Sequence, residues 1–160
     1  MLLNKDVLAQ IDMSGRGGKE KQFQPAMPGY ERVNDPLRDF VNEDTNHSRE
    51  LKKQQNLQWF DVGKYHNLSN AEKQIGMVFV LHKDKKIQDV FEIPLGKMLS
   101  LLVGDEDFRA DGWTIANIAD CHAKKIQHPT MQVKVPLKVK SFVSKYKSHF
   151  YHHYNRCDIS

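Results

Sequence analysis

The chain has 160 residues, 39% of them hydrophobic and 28% charged, with a net charge of +4 and two cysteines. That is the size of one domain with its own core, but the polar excess leaves part of the chain outside any core. Cys121 and Cys157 make no disulfide framework, and no apolar run approaches the ~20 residues that span a bilayer.

The start, MLLNKDVLAQIDM, has too few leading apolar residues for a signal peptide, so a cytoplasmic or virion location with no membrane partner is expected. Leu3, Val7 and Ile11 recur every four residues and, with Leu8, predict a short amphipathic helix. The following SGRGGKEKQFQPAMPGYERVNDP carries four glycines and three prolines and reads as extended chain. Phe23, Met27 and Tyr30 stand in it as isolated pegs. NEDTNHSRELKKQQN reads as a solvated helix. With so little to bury, residues 1–56 cannot fold alone and are expected to form an extended arm. Its helical tip would dock on a neighbouring subunit through Leu3, Val7, Leu8 and Ile11, with Phe23 and Tyr30 as further pegs.

A compact domain is expected over residues 57–160. QWFDV predicts a strand, and Ser69 with Glu72 makes a capping box. IGMVFVL reads as a buried strand and DVFEI as its partner across the turn HKDKKIQ. Pro94 suits the start of a helix LGKMLSLLV, ended by Gly104. Asp111 would cap a helix over GWTIANIADCHAKKIQ, MQVKV predicts a strand, and residues 138–157 a long last helix. The predicted fold is α+β: a short antiparallel sheet with three helices, preceded by the arm.

The last forty residues hold eight Lys/Arg against one acid, a charge of +7, while the first 120 carry −3. Such a basic end suits a polyanion or an acidic protein surface. On a helical wheel Val139, Val143, Tyr146, Phe150, His153 and Cys157 share one face, at spacings of 4, 3, 4, 3, 4. Lys138, Lys145, His149, His152 and Arg156 share another, so the interleaving of rings and cations reads as rings inward and cations outward. A solvated basic face is the plain alternative. His128, His149, His152 and His153 would make any binding sensitive to pH near 6–7.

Other chemistries fit the residues less well. His149, His153 and Cys157 at i, i+4, i+8, with Cys121 or His122, have zinc-ligand spacing, but no CxxC or CxxH pair exists and Cys157 is explained as a small hydrophobe. Asp61 after a strand, with Asp84 and Lys86 as a D-x-K, resembles the carboxylate set of a magnesium-dependent nuclease, although HKDKK is also ordinary turn composition. Cys121 and His122 are adjacent and diverge on a helix, there is no GxSxG, and SGRGGK lacks P-loop spacing. The helices at 95–103 and 113–126 stand too far apart for a simple helix-turn-helix.

The expectation is therefore a non-enzymatic structural subunit of a large assembly, a virion-like particle or nucleoprotein complex, with no cofactor or metal. Its partners would be other protein subunits and DNA, RNA or an acidic surface. The alternatives are a free-standing nucleic-acid-binding protein and, third, the nuclease.

Overall fold

IGMVFVL and DVFEI form the hairpin that their apolar pattern predicts, and the rest of the fold is built around it. The computed structural model describes residues 3–14, 20–54, 57–61, 68–103, 105, 109–110, 113–114 and 134–158. The helices are α1 (Lys5–Gln10), α2 (Glu20–Phe23), α3 (Leu95–Val103) and α4 (Val139–Lys145). The strands are β1 (Glu31–Arg32), β2 (Phe40–Asn42), β3 (His47–Gln54), β4 (Leu57–Asp61), β5 (Gly76–Lys83), β6 (Lys86–Pro94), β7 (Arg109–Ala110), β8 (Trp113–Thr114), β9 (Lys134–Lys138) and β10 (Tyr151–Asn155).

Six strands make the main sheet, in the order β1-β2-β3-β5-β6-β10. Every pairing in it is antiparallel except β3 with β5, so the sheet is mixed and longer than the short antiparallel one expected. β4–β9 and β7–β8 form separate two-stranded sheets. The register Arg49↔Gly76, Leu51↔Val78 and Val78↔Glu92 sets those residues on one face by the two-residue period of strands. Met77, Phe79, Phe91 and Ile93 fall on the other, where α3 and α4 add Leu95, Met98, Leu102, Val139, Phe142 and Val143 to one core.

The first face is covered by the N-terminal part of the chain. Leu3, Leu8, Ile11, Phe23, Met27 and Tyr30 are buried there against Phe40, Leu51, Val78, Val80 and Val90. The extended arm expected over residues 1–56 is thus, in its described part, one layer of the fold plus three strands of the sheet. Each peg is too isolated to signal a core by itself; the sheet supplies the apolar surface that the local sequence lacks. HSRELKKQ, expected as a solvated helix, is strand β3 because β2 and β5 pair with it on both sides, and that tertiary context overrides local propensity.

The expected terminal helix over 138–157 also gives way. α4 stops at Lys145, a 3-10 turn follows at Lys147–His149, β10 pairs with β6, and a second 3-10 turn closes at Arg156–Asp158. Tyr-His-His-Tyr is rich in rings that fit a pleated sheet, and the exposed edge of β6 gives it a ladder. The 4-3-4 spacing of apolar residues therefore spans three different elements. Trp113 and Thr114, expected in a helix, pair with Arg109 and Ala110 as strands. Gly104, Asp111, Cys121 and His122 lie outside the described residues, as does the start of MQVKV, whose end forms β9 and runs through Pro136.

Local signals fare better. Ser69 N–H donates to Glu72 Oε1 at 2.8 Å and Glu72 N–H to Ser69 Oγ at 3.1 Å, a reciprocal capping box. Pro94 stands immediately before α3. Asp84 and Lys85 turn the β5–β6 hairpin with φ of 54° and 68°, the left-handed region that a two-residue hairpin loop demands. Lysine is strained there and glycine is not. Lys85→Gly should therefore raise stability by about 0.5–1 kcal/mol, read as a higher urea midpoint at unchanged slope. An unchanged or lower midpoint would show that Lys85 makes a compensating contact.

Candidate functional site

Two groups of polar residues stand out, one on the surface and one beneath the N-terminal layer. The surface group starts where β9 runs into α4. Residues 138–156 contain five Lys/Arg and three His and no acid. α4 buries Val139, Phe142 and Val143, which turns Lys138, Lys140, Ser141, Ser144 and Lys145 outward. Lys147 and His149 continue the exposed surface, and the rings of Tyr146 and His149 lie 6.3 Å apart in it. Tyr151, 51% exposed, pairs with Glu92 and so lies on the opposite face of the sheet, its ring 4.8 Å from that of His153.

Of the five cations expected on one helical face, Lys138, Lys145 and His149 lie on this surface. Lys145 Nζ is 2.7 Å from Asp105 Oδ2, and the Tyr146 hydroxyl donates to the same carboxylate. His152 and Arg156 are held by the body instead. The His152 ring stacks on Phe91 at 4.2 Å and its Nε2 lies 3.1 Å from Asp89 Oδ1. Arg156 Nε donates to the Ile87 carbonyl at 2.7 Å and Nη2 to the Ala9 carbonyl at 3.4 Å. The expected docking residues Leu3, Leu8, Ile11, Phe23 and Tyr30 are buried in their own chain and Val7 is half-buried against them, so none is presented to a neighbouring subunit.

The other chemistries come apart. Asp61 sits opposite Lys134 in the β4–β9 sheet, whereas Asp84 and Lys86 belong to the β5–β6 hairpin, so the nuclease-like set is split between two sheets. His153 is buried while His149 and Cys157 are exposed in separate turns, and no cluster of three or more metal-ligating side chains occurs among the described residues.

The second group was not anticipated from the sequence. Glu92, on the apolar strand β6, is 11% exposed and receives Arg49 Nε at 3.1 Å and 3.2 Å and Arg49 Nη2 at 3.1 Å. His153 Nε2 approaches its Oε1 at 2.6 Å, and His47 Nε2 lies 3.7 Å from Oε2. Tyr30 Oη and His47 Nδ1 are 2.6 Å apart, and the Arg49 guanidinium sits 4.7 Å above the Tyr30 ring. Arg49 itself is 2% exposed.

Local structure explains the convergence. His47 and Arg49 are two apart on β3 and so share a face. In β10 the register shifts between His152 and Tyr154, and this bulge turns His153 toward Glu92. Gly76, next to Arg49 in the register, leaves the space for the carboxylate: a Cβ there would lie 1.8 Å from Glu92 Oε2. On the far side, Leu3 N–H donates to His153 Nδ1 at 3.3 Å. An Nδ1 that accepts carries no proton, so the ring hydrogen is on Nε2 and points at Glu92.

The charges follow from these contacts. Burial by itself raises the Glu92 pKa, but the hydrogen bond from His153 and the charge and hydrogen bonds of Arg49 outweigh it and hold the carboxyl below its ordinary value. Burial lowers the His47 pKa; Glu92 opposes this and Arg49 adds to it. Burial raises the Tyr30 pKa, with Arg49 opposing and Glu92 adding, so the phenol keeps its proton and can donate it to His47 Nδ1. The cluster is an ion pair with two histidines around it, suited to fixing five segments together. The signal that could have found it is the pair His47 and Arg49 at strand spacing, together with Glu92 between the apolar Phe91 and Ile93.

The sequence matches no protein-family model, and no curated protein is significantly similar to it.

Proposed function

We propose that the chain is a non-enzymatic subunit of a nucleoprotein assembly that contacts nucleic acid through the surface from Lys138 to His149. The observation that carries this reading is an acid-free stretch in which Lys138, Lys140, Lys147 and His149 are all exposed. Lysines along such a surface neutralise phosphates and release counterions. The N-terminal pegs are not part of this proposal, because their apolar area is already spent on the chain's own sheet.

The test is binding of the full chain to fluorescent single- and double-stranded DNA and RNA across a salt series. The affinity should fall steeply with salt, and Lys138→Glu with Lys147→Glu should reduce the slope of log K against log salt by about 1.4–1.8. Absence of binding at low salt would leave the surface as a solvated basic face. Sedimentation of the mixture tests the assembly: only 1:1 species would favour a free-standing binder.

A further inference from the structure

Just past α3, which ends on the apolar run Leu101, Leu102 and Val103, stands a buried acid. The side chain of Asp105 is 1% exposed, and its backbone N–H donates to the Leu102 carbonyl at 3.1 Å, which ties it to the last turn of α3. A carboxylate so far removed from water needs a counter-charge and hydrogen-bond donors. Asp105 finds both at the end of α4, in the Lys145 ammonium at 2.7 Å and the Tyr146 hydroxyl. Tyr146 is also the residue on which the following turn is folded. Its N–H donates to the Phe142 carbonyl at 3.0 Å, and its carbonyl accepts the His149 N–H at 2.9 Å. The 3-10 turn Lys147–His149 thus hangs from a side chain that Asp105 holds.

We infer that Asp105 is a positioning residue of the nucleic-acid surface: its carboxylate takes the place of a phosphate on Lys145 and leaves binding to the neighbouring lysines. The inference rests on the nucleic-acid reading of that surface. By exposure alone Lys145, at 46%, would count with Lys138 and Lys147 as a phosphate contact. Its ion pair removes it from that set. A phosphate could take Lys145 only by leaving a buried carboxylate uncompensated, and a solvated phosphate–lysine contact is worth less than such a carboxylate loses. The Tyr146 ring, 5.7 Å from Lys145 Nζ and 5.1 Å from the Phe142 ring, packs beside the pair. Asp105 therefore sets two properties of the surface. It fixes how many cations are offered to a phosphate chain, and it fixes the direction in which Lys147 and His149 leave α4.

The near-isosteric variant Asp105→Asn separates charge from shape. The amide oxygen still accepts from Tyr146, so the turn keeps its form, while Lys145 no longer faces a negative group at this position. Binding of the full chain to fluorescent single-stranded DNA across a salt series reads the difference. The slope of log K against log salt should steepen by about 0.7 in Asp105→Asn, the value for one more neutralised phosphate. Adding Lys145→Met replaces the ion pair by a neutral pair and should return the slope to that of the wild type. A purely structural role would weaken binding in both variants without steepening either slope. An unchanged slope in Asp105→Asn, or a steeper one that persists in the double variant, overturns the inference.

Nitrogen NMR of the lysine ammonium groups in the wild-type chain decides the case if Asp105→Asn does not fold. On titration with the same DNA the Lys138 and Lys147 signals should shift and that of Lys145 should stay. A shift at Lys145 as large as theirs overturns the inference. A wild-type chain that binds no nucleic acid overturns the reading of the surface, and the inference falls with it. Binding whose slope is indifferent to Asp105 overturns the inference alone.

Discussion

Glu92→Gln should destabilise the fold by about 3–5 kcal/mol in urea unfolding at pH 7, because it leaves the buried Arg49 guanidinium without its counter-charge. The shape of the side chain is almost unchanged, so the loss reads the charge. Replacing both partners, Arg49→Met with Glu92→Leu, should recover most of it, since a buried ion pair stabilises little over an apolar pair of similar size. A loss below ~1 kcal/mol in the single variant would place the cluster in the range of solvated surface pairs. The pH profile carries a second signature. His47 has its pKa lowered from an ordinary 6.5, so as pH falls below that value the unfolded chain takes up a proton that the folded one refuses, and stability declines. Glu92 has its pKa lowered from 4.5; its contribution is complete above that value and is lost as pH falls through the folded one. Acid should therefore weaken the wild type in two stages, and Glu92→Gln should lack the lower stage.

Gly76→Ala should cost about 2–4 kcal/mol, a large effect for one methyl group in a strand. The added carbon would lie 1.8 Å from Glu92 Oε2 and 2.8 Å from Cδ, so the carboxylate must leave Arg49 and His153. In a Glu92→Ala background the same substitution should be close to neutral, because nothing remains to be displaced and alanine is no worse than glycine in a strand. The double-mutant cycle thus gives a coupling nearly as large as the single effect. Equal costs in both backgrounds would mean that Gly76 is required by the backbone and not by the carboxylate.

The features legible in the sequence are the ones fixed by neighbours along the chain. Ser69 and Glu72 are three apart and cap each other; IGMVFVL and DVFEI are joined by a turn and pair. Residues whose partners lie far away were misread. HSRELKKQ looks like a solvated helix until β2 and β5 are placed beside it, and only then does Arg49 become a buried residue. Phe23, Met27 and Tyr30 look like pegs without a board because the board is made by β3, β5 and β6. The final stretch misled for a different reason. Residues 139–145 are helical, and the helical spacing of Tyr146, Phe150 and His153 beyond them is coincidental, since β10 brings its rings to the sheet with a bulge that no periodicity encodes.

The bond from Leu3 to His153 joins residues 150 positions apart in the chain. On a ribosome, the N-terminal layer is made first but lacks its contacts to His153 and Arg156 until those residues have emerged. Until then Leu3, Leu8 and Ile11 face an incomplete sheet, and their apolar surface is open to chaperones or to other nascent chains. Contacts of such sequence separation also slow folding, because a long loop must close before they form. Refolding should therefore show the β5–β6 hairpin protected early and residues 3–13 protected last.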